Sequence, residues 1–185
     1  MNFAIRAHRL HQVLSHLQAV GHQQVARLGL ATPVGAEGDA HLRALRATAR
    51  ARRAFAAAHP ADQVSATRTA ASLRRLGAKS DDQLAALLHD LPKGHVGLLP
   101  RVLHVLEGSP VTGSARGPLA SARQTLRLHA SVAPRRAAKL GAPRGTIAIL
   151  NELARLESRA TSATKPTAIY ARVRLLLEID SGLTR

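Results

Sequence analysis

Arg43, Arg46, Arg50 and Arg53 are separated by three, four and three residues. On a helix that spacing puts four guanidinium groups on one face, spread over about 15 Å. Planar guanidinium forks match phosphate oxygens, so the stripe suits a polyanion. A solvated helix face ordinarily interleaves glutamates to offset such repulsion, yet no acid occurs between Asp39 and Asp62. Arg123 with Arg127, and Arg135 with Arg136 and Lys139, repeat the theme in the second half of the chain. Binding of this kind is driven by counterion release, so it is steeply salt dependent and poor in sequence information. Phe3, Phe55 and Tyr170 are the only aromatic residues. Stacking of unpaired bases is therefore disfavoured, which leaves duplex DNA as the favoured partner and structured RNA as the second.

A second pattern lies at 135–157, RRAAKLGAPRGTIAILNELARLE. Ala137 precedes Gly141 by four residues, Leu140 and Ala142 flank the glycine, and Pro143 can open a helix where its missing amide costs nothing. Residues 133–154 resemble the helix-turn-helix of bacterial transcription regulators, in which a small residue four places before the turn glycine lets two helices cross closely. The resemblance implies a DNA-reading unit whose second helix, about 143–159, would present Arg144, Asn151, Arg155 and Arg159 outward. Two departures stand out. Arg136 sits where an apolar core residue is usual, and Ile149 and Glu152 fall on turns that would face the major groove. A carboxylate there can accept from cytosine but is unfavourable near phosphates.

The stretch LAALLHD at 84–90 sets His89 beside Asp90. It is similar to the metal-binding helix of the HD-domain phosphohydrolases, an all-helical family in which an adjacent His-Asp pair ligates a divalent metal. The resemblance implies His59 as an upstream ligand and needs a later aspartate; the only one after Asp90 is Asp180, near the end, and without that aspartate the site lacks a ligand and charge. The alternative is a capped helix whose His89 and Asp90 face solvent. His8, His11, His16 and His22 are scattered around a helix rather than stacked on it. Phosphate-loop, nucleophile-elbow and H-E-x-x-H patterns do not occur, and neither does cysteine. No metal or cofactor is expected, and a hydrolase of the HD type is kept as the enzymatic alternative.

The elements that must position these groups follow from composition. A chain of 185 residues can bury a sizeable core, and with so few rings that core must come from Leu, Val, Ile and many Ala, a composition that favours helix. Lys plus Arg number 27 against 11 Asp plus Glu, a formal net charge of +16. Residues 1–79 and 111–185 each carry a net +9, while residues 80–110 carry −2 and are rich in leucine. That middle segment reads as the bundle core or as a groove facing a protein partner. No apolar run approaches a bilayer span, and a cytoplasmic protein is expected. The acid-free, arginine-dotted amino terminus allows an organelle transit segment instead, and with it an RNA- or ribosome-associated role.

The expected fold is an all-α bundle of about seven to nine helices with a helix-turn-helix-like unit in its C-terminal half. Apolar periodicity predicts helices over 3–29, 39–59, 62–76, 80–91 and 98–107, with Gly35 and Gly38 ending the first and Asp39 capping the second. Ser80-Asp81-Asp82-Gln83 has the form of a capping box between Ser80 and Gln83. Residues 109–118, with the composition of a linker, divide a bundle at 1–108 from a helical region at 119–185. In that region helices are expected over 119–131, 134–140, 143–159 and 167–179.

Overall fold

The run from Ala36 to Ala56 contains no proline and is almost continuously made of good helix formers, yet it folds as two helices. In a computed structural model, which describes residues 35–94, 96–97, 100–101, 117–157 and 168–181 together with Gln18 and Gly21, α1 spans Ala36–Ala44 and α2 spans Ala49–Ala56. Arg46 adopts a left-handed backbone, φ 56°. The amides of Arg46 and Ala47 then turn back onto the carbonyls of Arg43 and Leu42, closing α1. Thr48 opens α2 by accepting the Ala51 amide at 3.1 Å. The single helix expected over 39–59 is thus corrected, and the four arginines do not share one helix face.

The remaining helices are α3 Pro60–Arg75, α4 Ser80–Leu88, α5 Pro118–Lys139, α6 Arg144–Glu157 and α7 Ala168–Asp180, with a 3-10 turn at Leu91–Lys93 after α4. The described residues contain seven α-helices and no strand, so the all-α expectation holds. Apart from Gln18, Gly21 and residues 100–101, the helices expected at 3–29 and 98–107 lie outside the described residues, as do residues 109–116 and Arg159.

Several boundaries moved for identifiable reasons. Gly35 is the N-cap of α1, and Asp39, expected as a cap, lies inside α1, paired with Arg43 at 2.7 Å. Gly38 is also helical, and the position needs glycine because a Cβ there would meet the Phe55 ring at 2.4 Å. The capping box is displaced by one residue: the Asp82 carboxylate accepts the Lys79 amide at 3.0 Å. Gln83 is used elsewhere, donating to the Ala78 carbonyl and meeting the buried His41 ring, each at 2.8 Å. The helices expected at 119–131 and 134–140 are one, because Pro134 is accommodated within α5 and is buried there.

Helix α4 is the centre of the bundle. Every residue from Asp82 to Leu88 is buried, and α2, α3, α6 and α7 pack around it. Over α4 the leucine-rich segment is therefore core; most of its remainder, beyond residue 94, lies outside the described residues. Leu42, Phe55, Leu73 and Leu87 share one apolar cluster with Ile149, Leu153, Val173 and Leu176, from the other side of the 109–118 stretch. Ala66, Ala70, Ala85, Ala133 and Ala137 line the same cluster. Small side chains let the helix axes approach, which compensates for the scarcity of rings. No described helix is long and apolar enough to cross a membrane.

Candidate functional site

The first candidate is a basic edge assembled from two distant parts of the chain. The Thr48 hydroxyl, beyond capping α2, donates to the Leu140 carbonyl at 2.5 Å. Gly141 lies under it with φ 80°, and a Cβ there would meet Thr48 Cγ2 at 2.9 Å. Both the left-handed backbone and the close approach require glycine. The corner between α1 and α2 is thereby seated on the turn between α5 and α6. Arg46 and Arg50 lie two residues either side of Thr48, Lys139 precedes Leu140, and Arg136 and Arg144 flank the same turn; all five are exposed.

Not all expected contact residues join this edge. Arg53 and Arg135 are exposed nearby in sequence, whereas Arg127 stands twelve residues before Lys139, roughly 18 Å along α5, with Arg123 a turn further and half-buried. Arg43 is engaged by Asp39, and Arg155 makes two hydrogen bonds to Glu152 at 2.7 and 2.8 Å. That pairing holds the Glu152 carboxyl below the usual carboxylate range.

Helix α6 packs against α4, α5 and α7. Ile149, expected on the groove-facing side, is fully buried with Leu150, Leu153 and Thr146. Its N-terminus receives a carboxylate from within the fold: the Thr146 hydroxyl donates to Asp81 at 2.8 Å, and Asp81 fills the space a Cβ on Gly145 would need. Asp81 thus answers the positive end of the helix dipole. Arg144 and Asn151 remain exposed on α6.

The second candidate is a buried charged centre where α3, α4, α5 and α7 meet. His89 and Asp90, expected to face solvent if they were only a helix end, are 4% and 6% exposed. The 3-10 turn after α4 brings Lys93 Nζ to 2.7 Å from Asp90 Oδ1. His129 reaches the same oxygen from α5, Nε2 at 3.5 Å, and His89 Nε2 lies 3.3 Å from it. Each ring places Nδ1 against the carbonyl three residues before it, Ala86 at 2.8 Å and Leu126 at 2.7 Å. That contact puts the proton on Nδ1 and aims Nε2 at Asp90. From α7, Asp180 lies 3.9 Å from His89 and accepts the Thr69 hydroxyl of α3 at 3.0 Å. Asp62, also on α3, is held by Arg101 through two hydrogen bonds at 2.6 and 2.8 Å.

The charges in this centre are interdependent. Burial disfavours ionisation of Asp90, but His89, Lys93 and His129 outweigh it and hold the carboxyl below its ordinary range. Burial likewise opposes a charged His89, against which Asp90 and Asp180 prevail and raise it. His129 goes the other way, pushed down to about 4 by burial and by Lys93. Burial and the Asp90 carboxylate raise Asp62 against the pull of Arg101. Lys93 is raised: burial works against its charge, and the carboxylates of Asp90, Asp62 and Asp180 overcome that.

The HD-type resemblance requires a divalent metal, and the residues present can be tested for it. Bonds of about 2.1 Å separate neighbouring donors in a coordination shell by roughly 3.0–3.4 Å. The two Nε2 to Asp90 separations come near this, but Asp180 is further off and Lys93 holds the oxygen that the histidines face. His59, the expected upstream ligand, caps α3 instead, its Nδ1 accepting the Ala61 amide at 3.2 Å. Among the described residues no three of His, Asp or Glu are grouped to hold a metal ion together. As arranged, the centre does not fit a metal, so no hydrolytic step is derived for it.

Sequence reasoning singled out the neighbours His89 and Asp90 but counted the late position of Asp180 against an HD-type site, and it missed the approach of Asp180, His129, Lys93 and the Asp62–Arg101 pair. Lys93 could have been found, since it stands three residues after Asp90 and next to a proline-stiffened turn. His129 carried no such signal. Compared with known proteins, the chain matches no family model, no curated protein and no solved structure.

Proposed function

We propose that this chain is a nucleic-acid-binding protein that grips the phosphate backbone through the basic edge formed by Arg46, Arg50, Arg136, Lys139 and Arg144. One observation carries the reading: the Thr48–Leu140 hydrogen bond joins two arginine-rich segments about ninety residues apart into one exposed, acid-poor surface. Five cations near one corner can meet several phosphates along a duplex, and the overall charge of +16 adds a long-range attraction. The edge acts as a clamp rather than as a base reader. On helix α6, Ile149 is buried, Arg155 is engaged by Glu152, and the N-terminus already holds Asp81, which leaves Arg144 and Asn151 as its exposed polar contacts. Duplex DNA is the favoured partner, and the chain would serve as a DNA-binding accessory or regulatory factor.

The test is a binding titration against duplex DNA, structured RNA and a simple polyanion at several salt concentrations. Each phosphate contact adds about 0.9 to the slope of log affinity against log salt on a duplex. Replacing Arg50, Lys139 and Arg144 with Ala together is expected to weaken duplex binding at least tenfold and to flatten that slope by roughly 2–3. Equal losses for unrelated DNA sequences fit a clamp. Absence of binding at low salt, or an unchanged slope in the triple variant, refutes the proposal; tighter binding of RNA than of duplex DNA moves it to structured RNA.

A further inference from the structure

The two halves of the basic edge are joined by a single hydroxyl, and the residue that carries it is open to solvent. Thr48 is exposed, and its backbone is extended, φ −62° and ψ 156°, in the short link between α1 and α2. Its Oγ1 accepts the Ala51 amide at 3.1 Å and donates to the Leu140 carbonyl at 2.5 Å, and its methyl lies 2.9 Å from where a Cβ on Gly141 would stand. Arg46 stands two residues before Thr48 and Arg50 two residues after, both exposed, with the exposed Lys139 next to Leu140 across the joint. No Asp or Glu lies between Asp39 and Asp62 or between Glu107 and Glu152, so neither segment carries a carboxylate of its own to answer these cations. Asp81, at the start of α6, is taken by the Thr146 hydroxyl. An anion carried on Thr48 Oγ1 therefore meets guanidinium groups and the positive end of α2 together. Thr125 and Thr146 also follow an arginine by two positions, but Thr125 is half-buried within α5 and Thr146 is fully buried.

We infer that Thr48 is a phosphorylation site, through which an arginine-directed protein kinase turns off the grip of the basic edge on nucleic acid. The inference rests on the nucleic-acid reading above and supplies its regulation. In the transfer, Thr48 Oγ1 forms a bond to the γ-phosphorus of a nucleoside triphosphate held by the kinase. The bond from that phosphorus to the bridging oxygen breaks, the nucleoside diphosphate leaves, and the hydroxyl proton passes to the base of the kinase. The ester oxygen then has no proton to give, so the Leu140 carbonyl loses its donor and faces phosphate oxygens instead, and the two arginine-bearing segments part. The new group carries a charge of about −1.5 to −2 at neutral pH and three acceptor oxygens, which engage Arg46 and Arg50 in place of the phosphates of a nucleic acid.

The experiment treats the full chain with adenosine triphosphate and a kinase that selects arginine on both sides of its target, maps the modified residues by mass spectrometry, and titrates treated and untreated protein with duplex DNA and structured RNA at several salt concentrations. Phosphate is expected on Thr48. The modified protein is expected to bind about tenfold or more weakly, with the slope of log affinity against log salt flattened by roughly 1–2, because the new charge answers about that many cations internally. Phosphatase treatment should restore both quantities. Thr48→Val keeps the side-chain shape without the hydroxyl, so kinase treatment should leave the affinity of this variant where it stood. A Thr48 left unmodified overturns the inference, and so does phosphorylated protein that binds as tightly as untreated protein, or a loss on treatment that persists in Thr48→Val. If that variant does not fold, the wild type before and after phosphatase carries the test. Untreated protein that binds neither nucleic acid at low salt is a separate failure: it refutes the nucleic-acid reading itself, and the inference falls with it.

Discussion

Asp62 and Arg101 are each 4% exposed and meet through two short hydrogen bonds, while Arg101 Nε also donates to the Val96 carbonyl at 2.8 Å. Desolvating both charges consumes much of what their attraction returns, so the pair is worth little compared with two apolar residues of the same size. Breaking it is another matter. Arg101→Met leaves Asp62 buried beside Asp90 with no guanidinium, and we expect a loss of about 3–5 kcal/mol in urea unfolding. Asp62→Leu combined with Arg101→Met should recover most of that loss. A double variant no better than the single would show that Arg101 acts through packing alone. The pair was illegible in the sequence, because 39 positions separate its members and nothing local marks either one. His89 and Asp90 were legible as neighbours, but their burial was not. Burial depends on α5 and α7 arriving above them.

At the scale of elements, the break between α1 and α2 is the structural decision with most consequence. Were 39–59 continuous, Arg46 would lie mid-helix and a glycine there would cost about 1 kcal/mol. With Arg46 in the left-handed region, φ 56°, Arg46→Gly instead relieves strain. Thermal or urea unfolding should therefore show this variant stabilised by about 1 kcal/mol, and a loss of similar size would restore the single helix. The clue in the sequence was Thr48, a good N-cap residue inside an apparently unbroken run. It was outweighed by the run of Ala and Arg around it, whose propensity is satisfied equally by one helix or two. Pro134 misled in the opposite direction. Proline usually ends a helix, yet α5 continues through it, with Ala133 and Ala137 buried on the same side. Glycine at 77, where α3 gives way to a left-handed residue, behaved as composition suggests.

At the scale of the whole molecule, a charge of +16 on 185 residues sets a background of self-repulsion. Screening shortens its range from about 30 Å at 0.01 M salt to about 8 Å at physiological ionic strength. Stability should consequently rise with moderate salt, seen as a melting temperature several degrees higher at physiological ionic strength than near 0.01 M. A melting temperature that fell with salt would mean that the internal ion pairs, and not surface repulsion, dominate the electrostatics. The same salt that stabilises the fold should weaken its grip on nucleic acid, because counterion release is then less favourable.

Composition and periodicity by themselves determined that this chain is helical, that its interior is aliphatic and alanine-rich, and that its surface is strongly basic; they left the leucine-rich middle segment open between core and groove. Those properties follow from the residue types present and from spacing within a few helical turns, both of which are local. Only the tertiary structure decided which arginine-bearing segments meet, because Thr48 and Leu140 are joined across 92 positions. It also decided that His89 and Asp90 are enclosed rather than exposed, because the rings, carboxylates and ammonium around them come from four helices. The physical reason is common to both. Charged side chains are indifferent to helix formation over many patterns, and their partners are chosen by how helices pack, which no single helix records.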